Sequence, residues 1–263
     1  MIQKSRSILL SFDVEEFDMP LEYGHHISLQ EQLTEGFKGL QAVMQMIGQT
    51  GIRATFFTTA NFACHYPNLI KSLAADHEIA SHTYFHSEFK LSHLVESRLV
   101  LEKLIDKPVL GLRMPRMMPV KMEDVKAAGY IYDSSINPTW IPGRYNNLHL
   151  PRNVYIDNDI LRVPASVSPH FRIPLFWLAF KNMPYGVFKY LVKQTLVRDG
   201  HVCLYLHPWE FTDIDKYQIP GYAKRWSGEL LCERLIRLIE DLSDEGEFIT
   251  MYDFLKHNFI QPD

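Results

Sequence analysis

His82 and His86, in the stretch His82-Thr83-Tyr84-Phe85-His86, are two imidazoles spaced so that both ring nitrogens can be aimed at one metal ion. On a helical turn, residues i and i+4 share a face, and both rings would reach a common point without straining the backbone. Neutral imidazole suits zinc and its divalent neighbours, and a catalytic site takes a third protein ligand and keeps a position open for water. A lone pair of this kind is more often structural than metal-binding. Its weight here comes from three further segments, a carboxylate cluster, an Arg-Met-Pro stretch and a His-Pro-Trp-Glu stretch, each of which follows a strand-like run.

The cluster Asp13-Val14-Glu15-Glu16-Phe17-Asp18 places four carboxylates in six residues. Asp13 and Glu15 are two apart, so on an extended backbone they point the same way and can face one ion, one as ligand and the other as base for the metal-bound water. Glu16 and Asp18 are expected in a solvated acidic loop. Arg113, before Met114-Pro115, closes another apolar run and can orient Asp13 and hold it ionised. His207 ends Tyr205-Leu206 and is followed by Pro208, which stops a strand; at the same end of a sheet it can protonate a leaving amine.

Short β-rich runs that alternate with longer helical patterns must position these residues. Strands are expected over Ser7 to Phe12, Arg53 to Thr58, His77 to Ser81, Val109 to Arg113, Tyr130 to Tyr132, Leu161 to Val163, His201 to Leu206 and Glu247 to Met251. Helices are expected over Leu29 to Gln49, Pro67 to Ala75, His93 to Ile105, Lys121 to Ala128, Tyr185 to Val197 and Glu229 to Leu242. The pattern is that of repeated βα units in an α/β barrel. Asp13, His82, Arg113 and His207 all fall at or just past carboxyl ends of strands, where such barrels hold their active sites. With no Gly/Ser-rich linker, internal repeat or low-complexity segment, residues 1–263 read as a single domain.

Hydrophobic residues make up 46% and charged residues 22% of the chain, an ordinary globular composition. The formal charge of -4 argues against a general nucleic-acid binder. Cys64, Cys203 and Cys232 form no Cys-x-x-Cys pair and read as buried free thiols of a reducing compartment. The start of the chain has no apolar signal-like region, and no apolar run approaches the roughly 20 residues that span a bilayer. A cytoplasmic location is the expectation.

The motifs, taken in order, resemble those of the polysaccharide deacetylases with a NodB-homology domain, carbohydrate esterase family 4. They are Phe12-Asp13, Ala54-Thr55-Phe56-Phe57, Glu78 through His86, Arg113-Met114-Pro115, Tyr132-Asp133-Ser134-Ser135 and Leu206-His207-Pro208-Trp209-Glu210, with Gly246 to Thr250 resembling the last barrel strand. The resemblance implies a distorted (β/α)7 barrel of the NodB type and metal-dependent hydrolysis of an N-acyl group, usually acetyl, from an amino sugar. It implies His82 and His86 as metal ligands, Asp13 as general base, His207 as general acid and Arg113 as the tether of Asp13. Substrate contacts would come from Tyr84, Pro115 and Trp209. The family's first motif has two adjacent aspartates, the second binding metal; this chain has Val14 there, and Glu15 would be the ligand instead. Asp133 would orient the catalytic histidine, or Asp133-Ser134-Ser135 is a capped turn. The metal is zinc on this reading, with cobalt, nickel or manganese as alternatives.

The substrate is expected to be a nucleotide-linked or polyprenyl-linked N-acylated amino sugar, a precursor of polysaccharide or glycolipid. The aromatic stretch 173–191 is accounted for by core packing or a lid; a sharper reading makes it a peripheral membrane contact. Two competing readings are a hydrolase of a linear or cyclic non-sugar amide on the same barrel, and a non-catalytic carbohydrate-binding paralogue. Val14 favours the last, while the joint presence of Asp13, His82, His86, Arg113 and His207 opposes it.

Overall fold

The structure, a computed structural model, describes residues 6–260. The chain runs through β1 (Ser7–Val14), α1 (Met19–Glu22), α2 (Leu29–Thr50), β2 (Thr55–Thr58), α3 (Ala60–His65), α4 (Pro67–Asp76), β3 (Glu78–Ser81), α5 (Ser92–Ile105), β4 (Gly111–Leu112), α6 (Met122–Ala127) and β5 (Tyr132–Asp133). A hairpin of β6 (Trp140–Ile141) and β7 (Tyr145–Asn146) follows, then β8 (Tyr155–Asp157), β9 (Ile160–Arg162), α7 (Trp177–Asn182), α8 (Tyr185–Asp199), β10 (His201–Leu206), α9 (Gly221–Lys224), α10 (Glu229–Ser243), β11 (Glu247–Phe248) and α11 (Met251–Asn258).

The sheet order is β10-β1-β2-β3-β4-β5-β9-β8, with β11 paired to the start of β1. All pairings are parallel except β9 with β8, so the run from β10 to β9 is a curled sheet of (β/α)7 type. No ladder joins β9 to β10. That seam is bridged where the Ser166 amide donates to the Cys203 carbonyl at 2.9 Å and the Cys203 amide donates to Ser166 Oγ at 2.8 Å.

Both faces of β1 are buried, so the strand reads as a nearly continuous apolar run. Ile8, Leu10, Phe12 and Val14 lie under the helices, whereas Leu9 joins Phe57, Ala80, Tyr132, Val163 and Cys203 inside the barrel. Ser11 and Asp13 continue that inward row to the carboxyl end. The opposite end is plugged by Met251, Phe254 and Leu255 of α11. The expected strand 247–251 is therefore cut short: Thr250 Oγ1 accepts from the Asp253 amide at 3.1 Å, a cap that starts a helix where the β-rich composition suggested more strand.

The six expected helices are present with ends shifted by at most two residues, and α2 shows why: Ser28 Oγ accepts from the Glu31 amide and Gly51 ends the helix at φ +67°. The hairpin β6–β7, strand β8 and helices α1, α3, α7, α9 and α11 were not expected; they are short pieces stabilised by their packing rather than by periodicity. The cysteines are free, but Cys64 is exposed, contrary to the expectation of burial, while Cys203 is buried and Cys232 half-buried. Among the described residues no helix is long and apolar enough to cross a membrane.

Candidate active site and metal centre

Asp13 and Glu15 leave the end of β1 on the same side, as their spacing required, and divide at once between two sets of partners. Glu15 Oε2 lies 3.1 Å from His82 Nε2 and 3.0 Å from His86 Nε2, and Glu15 Oε1 accepts from Trp209 Nε1 at 3.0 Å. All three residues are buried, and their ligand atoms lie within 4.8 Å of one another. Val14 points the other way, into the layer under the helices, so it does not compete for this place.

The His82–His86 spacing does not work through a helical turn. His82 continues β3, its amide donating to Thr58 O, and the chain then bends at Thr83, which has φ +64°. A β-branched residue in that region is strained by about 1–3 kcal/mol. Local bonds hold it: the Thr83 amide donates to Ser81 Oγ at 3.1 Å and Thr83 Oγ1 donates to Phe85 O at 3.0 Å. The bend brings His86 back beside His82, with ring centroids 5.6 Å apart.

Each ring's outer nitrogen has its own partner. His82 Nδ1 lies 2.8 Å from the Arg113 carbonyl, which only accepts, and His86 Nδ1 lies 2.8 Å from Asp18 Oδ1. With both Nδ1 atoms donating, the neutral rings present Nε2 lone pairs to a carboxylate oxygen, an arrangement that calls for a cation between them. The donor set of two imidazoles and one carboxylate suits a divalent transition metal, with three protein ligands and an open position. Without a metal the same need is met by a proton. Burial by itself lowers the His86 pKa, but the Glu15 and Asp18 carboxylates outweigh it and raise it to about 9. Burial raises that of Glu15, yet the facing His86, His207 and His82 rings outweigh it and hold the carboxyl well below the usual range.

Asp13 turns to Arg113 instead. The fully buried guanidinium donates from Nη1 to Asp13 Oδ1 at 2.6 Å and to Ser11 Oγ at 3.0 Å, and from Nη2 to Ser134 Oγ at 2.9 Å, and it sits 4.1 Å from the Phe57 ring centroid. The other carboxylate oxygen, Asp13 Oδ2, is 3.9 Å from His207 Nε2. His207 stacks on Trp209 at 5.1 Å and meets the edge of Trp177 at 5.2 Å. Its Nδ1 lies 3.0 Å from Glu210 Oε1, which also accepts from the His207 amide at 2.8 Å. Burial lowers the His207 pKa, but the charges of Glu15, Glu210 and Asp13 more than reverse this, leaving it raised.

The carboxylate that orients His207 is thus Glu210, not Asp133. Asp133 is buried on the outer side of β5, paired with Arg162 Nε at 2.9 Å and accepting from the Ser135 amide and hydroxyl, which is the capped turn. Glu16 and Asp18 also depart from expectation, since both are buried rather than solvated. Glu16 accepts from Thr59 and Asn61, and Asp18 supports His86 while taking a 2.8 Å ion pair from Arg116. Arg116 itself sits at φ +54°, pairs with Glu22 at 2.6 Å and donates to the His86 carbonyl at 3.0 Å. Nothing local in the sequence marked Arg116, and Asp18 stood out only as part of the acidic cluster. Glu210 did carry a signal, an acidic residue three positions after the strand-ending histidine, the spacing of a capping box.

Asp13, Glu15, His82, His86 and His207 open onto one cleft of about 350 Å³. Phe176, Trp177, Tyr205 and Trp209 form an aromatic wall, and Tyr23, Arg116, Arg144 and Tyr222 stand around it. Tyr84 and Pro115 are not part of its lining: Tyr84 packs on Phe85 and His93, and Pro115 is buried. The stretch 173–191 contributes core, through Leu175, Phe180 and Phe188, and cleft wall, leaving Val187 and Tyr190 as its exposed large apolar side chains. Close packing of α2 sets Glu15 and Trp209 in place. A Cβ on Gly36 would lie 2.7 Å from the Glu15 carbonyl, and one on Gly39 would lie 1.9 Å from that of Pro208, so only glycine permits this approach.

Comparison with known proteins agrees with the geometry. Residues 3–117 match the family model described as polysaccharide deacetylase, a span that holds Asp13, Glu15, His82, His86 and Arg113 but ends before His207. No curated protein matches the chain significantly in sequence. Among solved structures, a protein described as a probable polysaccharide deacetylase from Pseudomonas aeruginosa PAO1 aligns with TM-score 0.70 at 16% identity, over 98% of this chain and 94% of that one. Puue allantoinase aligns with TM-score 0.66 at 17% identity, over 100% of this chain and 94% of that one. At such identities the likeness establishes the fold. Residues 3–117 thus resemble polysaccharide deacetylases in sequence, and nearly the whole chain shares its fold with solved structures that include a probable polysaccharide deacetylase.

Proposed function

We propose that the protein is a divalent-metal-dependent N-deacylase that removes an acyl group, acetyl first among them, from an amino sugar. The observation that carries this reading is the separation of tasks in one cleft: Glu15, His82 and His86 converge on one point, while beside them Asp13, tied to Arg113, and His207, tied to Glu210, keep Oδ2 and Nε2 facing each other at 3.9 Å. A bound divalent ion would polarise the acyl oxygen and acidify a water molecule. Asp13, its Oδ1 occupied by Arg113, keeps Oδ2 to take a proton from the attacking water. His207 gives its Nε2 proton to the departing nitrogen, with Glu210 holding the opposite side of the ring. Water and amide thus become a carboxylic acid and a free amine. Trp209, Trp177 and Phe176 supply apolar faces against a sugar ring and keep bulk water from the reacting groups.

The substrate class on this reading is an N-acylated sugar of precursor size, nucleotide-linked or lipid-linked, which the walled cleft of about 350 Å³ supports better than a long polymer groove. The same small cleft, with the fold likeness to an allantoinase, supports a second reading as a hydrolase of small non-sugar amides. Metal content of wild type, Glu15→Ala and His82→Ala after identical dialysis, followed by acetate release from N-acetylglucosamine, its β1,4-linked oligomers and its UDP conjugate, tests the proposal. About one metal per chain, lost in both variants, with acetate released from a sugar, is the expected result. A metal-loaded protein that ignores all the sugars but opens cyclic or linear amides would transfer the conclusion to the second reading. No metal after reconstitution with zinc, cobalt, nickel or manganese would overturn the metal-dependent deacylase and leave a metal-free amidase or a non-catalytic protein.

A further inference from the structure

Lys181 and Glu210 are both fully buried, a situation lysine rarely occupies without a partner. Lys181 Nζ lies 3.3 Å from Glu210 Oε2 and donates to the Ala223 carbonyl of α9 at 2.6 Å. Among the described residues Glu210 Oε2 has no hydrogen-bond partner, so this ion pair is its only polar support, while Oε1 is committed to His207. Lys181 belongs to α7, whose first turn and preceding residue, Phe176 to Leu178, line the cleft, as does Tyr222 of α9. The Asn182 side-chain Nδ2 donates to the Tyr222 carbonyl at 2.9 Å, and Arg234 pins the end of α7 through the Phe180 and Met183 carbonyls at 3.0 and 2.7 Å.

An apolar residue would fill this site more cheaply, since a buried ion pair costs as much in desolvation as it returns in attraction. Burial does lower the Lys181 pKa, against the pull of Glu210. Resting on the reading of His207 as proton donor, we propose that Lys181 is a positioning residue of that donor: it anchors the Glu210 carboxylate, which fixes the His207 ring with Nδ1 engaged and Nε2 facing Asp13, and it fastens this assembly to the α7–α9 wall that holds the substrate. The chain Lys181–Glu210–His207 stands where the resemblance had assigned Asp133.

The test uses Lys181→Met, Glu210→Gln and the double variant, since Lys181→Met alone leaves a buried carboxylate without its counter-charge and can unfold the protein. Long-range ¹H–¹⁵N NMR of the imidazoles reports the His207 Nδ1–H directly and needs no substrate. Both single variants are expected to weaken that hydrogen bond, moving the Nδ1–H signal upfield, and the double variant to resemble Glu210→Gln. In kinetics with the best N-acetyl sugar, kcat falls about ten- to hundredfold with KM within twofold, part of the 10²–10⁴ that a general acid contributes. Hydrolysis of 4-nitrophenyl acetate, whose leaving group departs without a proton, stays within threefold. An unchanged imidazole spectrum in Lys181→Met, equal losses on amide and ester, or a double variant worse than Glu210→Gln would overturn the proposal. A wild type inactive on both substrates would instead refute the assigned function, and the NMR comparison would still decide the role of Lys181.

Discussion

Asp18→Asn is the substitution that separates the metal centre from an ordinary buried hydrogen-bond cluster. Asp18 Oδ1 takes the His86 Nδ1 proton at 2.8 Å, and Oδ2 takes Arg116 Nη2 at 2.8 Å. Asparagine keeps the volume and one acceptor but must turn its NH₂ toward either the ring or the guanidinium, so one charge-assisted bond is lost. Loss of such an outer partner typically weakens metal binding 10–100-fold, or about 1.4–2.7 kcal/mol. A second effect opposes the first. Because the metal-free His86 pKa is raised to about 9, a metal binding at pH 7 must displace a proton, which costs about two powers of ten in apparent affinity. Removing the Asp18 charge lowers that pKa and reduces this cost.

The two effects part above pH 9, where the proton is already gone. Competition for zinc with a chromophoric chelator at pH 6.5 and 9.5 should show wild-type affinity rising about tenfold per pH unit until the His86 pKa is passed. Asp18→Asn should bind 10–100-fold more weakly at pH 9.5, with a smaller gap at pH 6.5. Glu16→Gln is the control, since Glu16 serves Thr59 and Asn61 rather than a histidine, and its affinity should match wild type. Equal affinities of Asp18→Asn and wild type at pH 9.5 would refute the reasoning, whatever happened at lower pH.

Activity should persist above the ordinary histidine pKa and then decline. The raised His207 pKa keeps the ring protonated beyond 6.5, so kcat/KM falls as pH rises through the raised value; Glu210→Gln, which removes one of the charges raising it, should move this limb of the pH–rate profile to lower pH. Gly39→Ala would force a methyl group to within 1.9 Å of the Pro208 carbonyl and should cost about 1–3 kcal/mol, read as a Tm lowered by several degrees. Gly48→Ala, with nothing within 4 Å of its new Cβ on the same helix, should instead stabilise by about 0.5–1 kcal/mol in the same scan. Trp209→Phe deletes the 3.0 Å bond to Glu15 Oε1 and should weaken zinc binding severalfold, whereas Tyr84→Ala, outside the cleft, should leave KM unchanged.

Much of this protein is legible along the chain because its information is local. Alternating β-rich runs and capped amphipathic helices fix the order of βα units, and β1 shows how far this reaches: Asp13 and Glu15 share a side because side chains alternate along an extended backbone. The placing of Asp13, His82, Arg113 and His207 at carboxyl ends of strands also follows from sequence, since parallel strands in one barrel deliver those ends to a common rim. Their meeting across up to 194 positions needed only the fold.

What tertiary structure alone decided is the set of partners. Asp18 and Glu16 have the composition of a solvated loop, yet both are buried, because a guanidinium stands against one and an amide and a hydroxyl donor against the other. Asp133 and Glu210 are both acidic and near a motif; the outward direction of β5 sends one to Arg162, and the turn after Pro208 folds the other under His207. Whether a carboxylate ends in water, against a guanidinium or beneath a histidine ring depends on the dielectric and the charges that distant segments bring to it. Sequence supplied the groups and their alternation along each strand; the energy of burying a charge, settled only when all its neighbours are assembled, chose their roles.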